Sequence, residues 1–221
     1  MFDNIAHRYD FLNHFLSVGI DNWWRKVTIN SLKESAPKRI LDVATGTGDL
    51  AFEALKRLNP ESIVGLDLSE GMLSKARVKA KERGIGKIEF VKGDSERIIF
   101  DDQEFDAVTV AFGVRNFENL QQGLAEIYRV MKPGARVAIL EFSKPQKFPI
   151  KQLYNFYFKY ILPVFGRLVS KDATAYQYLP ESVQAFPEGD AFVNILTKTG
   201  FTSCKNRPLT FGICSLYTAV K

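Results

Sequence analysis

The stretch Arg39-Ile40-Leu41-Asp42-Val43-Ala44-Thr45-Gly46-Thr47-Gly48-Asp49-Leu50-Ala51 limits what this chain can fold into more than any other. Ile40 to Ala44 are apolar apart from Asp42, the composition of a parallel strand buried on both faces, and a helical period starts at Leu50 and continues through Ala54, Leu55 and Leu58. Strand, glycine turn and helix opening, in that order, predict an α/β unit with a ligand at its turn. Gly46 and Gly48 admit positive φ and let a ligand approach the backbone where a Cβ would intrude. Roughly 20 residues further on, Ser62-Ile63-Val64-Gly65-Leu66-Asp67 reads as a second strand ending in an acid, the spacing at which a carboxylate grips a ribose diol.

Taken alone, Gly46-x-Gly48-x-x-Ala51 followed by Asp67 fits a dinucleotide fingerprint. Charge separates the readings. A dinucleotide sets its pyrophosphate on the helix N-terminus, yet Asp49 stands there and Asp42 precedes it, so two carboxylates would face the phosphate. S-adenosylmethionine suits them better: it offers a ribose diol, a sulfonium, and an amino-acid tail whose ammonium wants an acid and whose carboxylate wants backbone N–H groups. Asp49 also reads as a plain dipole-favoured acid of the first turn, and Asp67 as a strand-end turn residue.

With 221 residues and 46% apolar content the chain can bury a sizeable core. We expect a single domain over 1–221: an N-terminal helical cap (1–35), a cofactor-binding core (36–142), a helical lid insert (143–187), and a C-terminal helix with an antiparallel strand pair (188–221). The net charge of +5 is mild and no run of Lys and Arg tracks a phosphate backbone, so no nucleic-acid partner is expected. Cys204 and Cys214 lie far from any His, which indicates no metal site and no disulfide framework. The start lacks the layout of a signal peptide and no segment reaches the ~20 apolar residues of a membrane span, so the expected location is cytoplasmic.

Along the chain, two short helices are expected at about Tyr9 to Leu16 and Asp21 to Ser35, the second capped by Asp21 and facing the core with Trp23, Val27, Ile29 and Leu32. Tyr9, Asp10, Asn13 and His14 share one helix face as polar groups able to reach a substrate oxygen. Ser69 caps a helix with Met72, Leu73, Ala76 and Ala80 on one face. A third strand closes in Gly93-Asp94-Ser95, where Asp94 accepts from an adenine amine and the Ser95 N–H donates to the ring, unless Asp94 merely caps the turn before Glu96. A fourth, Phe105 to Phe112, runs into Gly113-Val114-Arg115-Asn116; Arg115 and Asn116 read as donors aimed at a developing oxyanion, or Arg115 as a carboxylate clamp holding the loop. After helix Leu120 to Met131 and strand Arg136 to Phe142, the insert around Leu153 to Phe165 is aromatic nearly all round, with Lys151, Lys159, Arg167 and Lys171 spaced through it. Residues 201–220 read as two strands joined near Pro208, for a total of seven.

Tyr9-Asp10-Phe11-Leu12-Asn13-His14-Phe15-Leu16-Ser17-Val18-Gly19-Ile20 and Arg129-Val130-Met131-Lys132-Pro133-Gly134-Ala135-Arg136-Val137-Ala138-Ile139-Leu140-Glu141-Phe142-Ser143-Lys144-Pro145 resemble the quinone-biosynthetic C-methyltransferases of menaquinone and ubiquinone synthesis. Phe112 to Asn116 and Ala175 to Val183 add to the likeness, which covers nearly the whole chain. It implies an α/β class I S-adenosylmethionine-dependent methyltransferase: a Rossmann-like seven-stranded sheet with its last strand antiparallel and a helical lid insert. Position by position it implies a cofactor site at Gly46, Thr47, Gly48, Asp67, Asp94 and Ser95, no metal, and S-adenosylhomocysteine as product. Ala111 stands where some members carry a contacting Ser, and His14 where many carry Asp, so the base near Asn13 is left open. The implied reaction is C-methylation of a polyprenyl hydroquinone, demethylmenaquinol to menaquinol, with Tyr9, Asp10, Asn13, Arg115 and Asn116 at the chemistry. Residues 148–169 would then touch the inner face of the membrane peripherally, or form a homodimer face. Rival readings are a ubiquinone-precursor benzoquinol as acceptor, a soluble small-molecule acceptor, a non-catalytic S-adenosylmethionine scaffold, and an NAD(P)-dependent oxidoreductase.

Overall fold

Residues 19–156 and 181–221 are described by the computed structural model. The apolar run of the glycine segment is strand β1 (Arg39–Val43), with β2 (Ser62–Asp67) on one side and β4 (Phe105–Ala111) on the other, both parallel to it. With β3 (Ile88–Lys92), β5 (Met131–Phe142), β6 (Thr202–Leu209) and β7 (Cys214–Val220) they make a seven-stranded sheet ordered β3-β2-β1-β4-β5-β7-β6. Only β7 runs against its neighbours. Strand order reverses between β1 and β4, and the crossovers leaving in opposite directions open a crevice beyond the carboxyl ends of those strands.

Period-2 alternation divides β1 between two apolar layers. Ile40 faces a cluster with Leu50, Ala54 and Leu73, from α2 (Asp49–Leu58) and α3 (Glu70–Glu82). Leu41 and Val43 face another with Leu124 and Ile127 of α4 (Leu120–Val130) and Phe192 and Leu196 of α6 (Asp190–Thr199). Ser69 caps α3 as expected, its Oγ accepting from the Met72 N–H at 3.2 Å, and Met72, Leu73, Ala76 and Ala80 are buried. Helix α5 (Ile150–Phe156) opens the insert.

Several expectations need correction. Helix α1 spans Asp21–Asn30 and gives way to a 3₁₀ turn at Lys33–Ser35; Ile20 occupies its N-cap position, while Asp21 lies in the first turn and bonds Arg25 instead of capping. Its buried aromatic is Trp24 at 2% exposure, whereas Trp23 is 48% exposed, because Trp24, Thr28, Ile29 and Leu32 share the inward face and one residue turns a helix by about 100°. Pro208 lies within β6 and not at the connection, which is Thr210–Gly212; β6 is the edge strand, where a missing N–H is tolerated. Strand β5 begins at Met131, ahead of the Gly134 turn. The expected helix at 9–16 lies outside the described residues, as does 157–180 of the insert.

Trp24 fastens α1 to the far end of the chain. Its Nε1 donates to Thr210 Oγ1 at 2.7 Å and its ring meets Phe142 edge-on, with centroids 6.1 Å apart. Trp24→Ala should destabilise the protein by about 3–5 kcal/mol. Trp24→Phe and Thr210→Val should each cost about 1 kcal/mol, and the double variant no more than either single, as measured by urea unfolding.

Candidate functional site

Two adjoining clefts lie where strand order reverses, and Ala44, Gly46 and Phe112 line both. Ala44 (φ 53) and Phe112 (φ 58), just beyond β1 and β4, hold left-handed backbone that costs of order 1 kcal/mol apiece outside glycine. Gly113 is required by proximity: a Cβ there would come within 2.6 Å of the Ala44 Cβ. Gly46, at φ 57, would point a Cβ into open space with nothing within 4 Å, so the turn leaves room for a ligand against its backbone.

The first cleft gathers Gly46, Asp67, Ser95 and Asn116 between Leu66, Met72 and Phe117. Asp67 ends β2, and its carboxylate is fixed by two backbone donors, the Gly46 N–H at 2.8 Å and the Ser69 N–H at 2.9 Å. Asp94 is exposed, forms a bridge with Arg97 and accepts from the Glu96 N–H at 2.8 Å, which is the turn-capping geometry; it does not line the cleft. Asn116 closes a 3₁₀ turn after β4, its amide 3.4 Å from the Phe112 carbonyl.

Arg115, beside it, is turned inward. Its guanidinium donates to Glu141 Oε1 at 2.6 Å and to the Phe112 carbonyl at 2.7 Å, and the two charged side chains are 5% and 0% exposed. That pair clamps the loop after β4 to β5.

The second cleft holds Thr47, Asp42, Thr45, Asp49, Arg25 and Ala111. Asp42 is buried on β1 and accepts from Thr45 Oγ1 and Thr109 Oγ1, both at 2.6 Å. Burial raises its carboxyl to about 6, the hydroxyls opposing and the nearby Asp67 charge adding. Asp49 is bracketed by Lys79 at 3.0 Å and Arg25 at 3.6 Å, and Lys79 also reaches Thr47 Oγ1 at 2.9 Å. The acidity expected at the turn is therefore compensated, and the charge argument against a phosphate ligand weakens.

Tyr9, Asp10, Asn13 and His14 lie outside the described residues. Sequence reading misses Arg25, whose signal is an i,i+4 Asp21–Arg25 pair inside the buried stripe of α1. It also misses Tyr154 on α5, whose phenol burial, and then the Glu188 charge, push well above its usual range. A phenol so raised stays protonated at neutral pH.

All of residues 1–221 match the model of the ubiE/COQ5 methyltransferase family. The demethylmenaquinone methyltransferase of Bacteroides fragilis is 51% identical over 100% of this chain and 91% of its own. The ubiquinone/menaquinone biosynthesis C-methyltransferase UbiE of Geotalea daltonii is 48% identical over 100% and 94%. Among solved structures, a SAM-dependent methyltransferase from Aquifex aeolicus superposes with TM-score 0.63 at 21% identity, covering 87% of this chain and 88% of that one. The fold is accordingly that of the class I methyltransferases.

Asp42 makes a measurable demand on pH. A folded carboxyl at about 6 against an ordinary 3.8 means that the native state takes up this proton first. Its contribution favours folding below about 3.8 and is lost as pH rises through 6, a swing on the order of 3 kcal/mol. Asp42→Asn should gain stability relative to wild type at pH 8 and forfeit that gain between pH 6 and 4, in urea titrations across that range.

Proposed function

The chain belongs to the ubiE/COQ5 methyltransferase family, and on that premise we propose that it methylates a ring carbon of a polyprenyl hydroquinone, converting demethylmenaquinol to menaquinol. It is an S-adenosylmethionine-dependent methyltransferase. The observation that carries the reading is the convergence of Asp67, Gly46, Ser95 and Asn116 on one cleft at the reversal of strand order. The lining fits the cofactor: Gly46 leaves the backbone approachable, and Asp67 is held by two N–H groups with its carboxylate bordering the cleft.

The cofactor supplies a methyl group already activated by a sulfonium. The protein's part is to position the acceptor carbon and help two protons leave. Asp67 would accept the ribose hydroxyls, Thr47 and the Gly46–Gly48 turn would border the amino-acid tail, and Ser95 would meet the adenine, Asp94 being spent on capping its own turn. Among Tyr9, Asp10 and His14, near Asn13, one group takes the phenolic proton, directly or through water. Loss of that proton makes the ring carbon ortho to the oxygen the nucleophile that the cofactor, when bound, would methylate, and the ring C–H proton would then leave to restore aromaticity. Asn116 steadies the phenolate from the cleft wall, and Arg115, paired with Glu141, holds the loop that presents it.

The insert gives the tail of the acceptor a place to enter. Phe148 (81%), Leu153 (61%) and Phe156 (55%) are exposed at its start, and Phe148 shares a groove with Phe211, Lys144 and Lys147. Exposed aromatics among lysines suit the headgroup level of an anionic bilayer, so residues 148–156 are the part of the insert offered to it. No helix among the described residues is long and apolar enough to cross a membrane.

Labelled methyl transfer from S-adenosylmethionine should appear on reduced demethylmenaquinone in detergent and be weaker on the demethylated ubiquinone precursor; label on neither would sink the proposal. Asn116→Ala should lower kcat about 10²-fold with little change in cofactor Kd. Arg115→Ala should lose activity and also about 3–5 kcal/mol of stability, because it strands Glu141; a loss of cofactor binding as large as the loss of kcat would make Arg115 purely structural. In flotation, wild type should rise with anionic but not neutral liposomes and Phe148→Ser should stay at the bottom. A wild-type protein indifferent to lipid removes the membrane step, and dimerisation through this face would show in sedimentation instead.

A further inference from the structure

Arg25 is 8% exposed, yet it lines the second cleft beside Thr45, Thr47 and Asp49. A buried guanidinium cannot shed its charge, so its donors need acceptors. One end has them: Nη1 donates to Asp21 Oδ2 at 2.6 Å and lies 3.4 Å from Asn22 Oδ1. Among the described residues the other end does not. Nη2 stands 3.6 Å from Asp49 Oδ2, beyond hydrogen-bond range, and Asp49 is engaged by Lys79 at 3.0 Å. The side chain is thus anchored at one nitrogen by a residue of its own helix, with the other presented at the cleft.

We infer that Arg25 receives the α-carboxylate of the cofactor's amino-acid tail, and that Asp21 is the positioning residue that aims it. The inference rests on the S-adenosylmethionine reading. A guanidinium edge matches a carboxylate in plane and charge. The competing receptor, the N-terminal N–H groups of α2 that the sequence suggests, begins at Asp49 and offers only partial charges beside that carboxylate, where Arg25 offers a full cation. The acids of the same cleft serve the other charge of the tail. Asp42 is the buried one and Asp49 the half-exposed one, so a cation at one side and carboxylates at the other complement a zwitterion. Recognition of the tail thereby depends on helix α1, ahead of the glycine segment.

The test compares two ligands that differ in one group. S-adenosylmethionine and its decarboxylated analogue share adenosine, sulfonium and amine, and only the first carries the carboxylate. By titration calorimetry the wild type should bind the first at least tenfold tighter. Arg25→Met should weaken the first about tenfold or more and leave the second within about twofold, so that the preference collapses; Arg25→Lys should recover part of it. Equal weakening of both ligands, or a wild type without preference, would overturn the inference. If Arg25→Met fails to fold because a buried ion pair is broken, the Arg25→Met/Asp21→Leu pair removes both charges and is read in the same way. A wild type that binds neither S-adenosylmethionine nor S-adenosylhomocysteine would instead sink the methyltransferase reading itself, which separates the two failures.

Discussion

Everything at the crevice hangs on a carboxylate taken out of water. Asp42 sits on β1 at 1% exposure, and its oxygens are satisfied by Thr109 across the strand pair and by Thr45 in the turn that follows. An unsatisfied buried carboxylate would be prohibitive; two short hydroxyl bonds make this one tolerable and give it a structural effect. They tie β1, β4 and the glycine turn at the point where strand order reverses. With Thr45 so held, its N–H meets the Leu66 carbonyl at 3.0 Å, and the next N–H, of Gly46, falls 2.8 Å from Asp67. Asp67, at the end of β2, is therefore placed by the same register that closes the turn.

Charge at the second cleft is arranged in alternation: Asp21 to Arg25, Arg25 toward Asp49, Asp49 to Lys79, from α1 across α2 to α3. Partly exposed pairs such as Asp49–Lys79 stabilise little on their own, so their weight in folding is small. Their weight in the proposed recognition is larger, since they fix where each sign of charge stands in the second cleft. The Arg115–Glu141 pair is a different object. Dry on both sides, it gains stability only relative to losing one partner, and what it secures is the position of the loop that carries Asn116.

How much of this is legible in the chain follows from which signals are local. The strand, turn and helix at 39–58 and the helix capped by Ser69 are read from period and capping alone, and both stand where expected. Trp23 reads as the buried tryptophan in place of Trp24 because two adjacent tryptophans differ only by helix phase, and the phase is set by contacts with Phe112, Phe142 and Thr210, the last two more than 100 residues away. Pro208 reads as a turn because its cost inside a strand vanishes only at a sheet edge, and edge position is a property of topology. Arg25 escapes notice for the opposite reason: a charged residue next to Lys26 looks solvated until the burial of Trp24, Thr28 and Ile29 shows that its face turns inward.

The division of labour between Arg115 and Asn116 follows from those same distances. A guanidinium already giving its Nη1 to Glu141 and to the Phe112 carbonyl cannot swing into the cleft without abandoning a carboxylate that has 0% exposure and no water to replace the loss. Paired with Glu141 at 2.6 Å, its charge is largely cancelled at a distance, so its part is to hold the loop in place. Asn116, by contrast, lines the cleft and is the neutral donor that can meet the oxygen itself. In the proposed reaction the work is thereby split between two neighbours in sequence: Arg115 fixes the loop, and Asn116 is the group offered for the hydrogen bond to the phenolate.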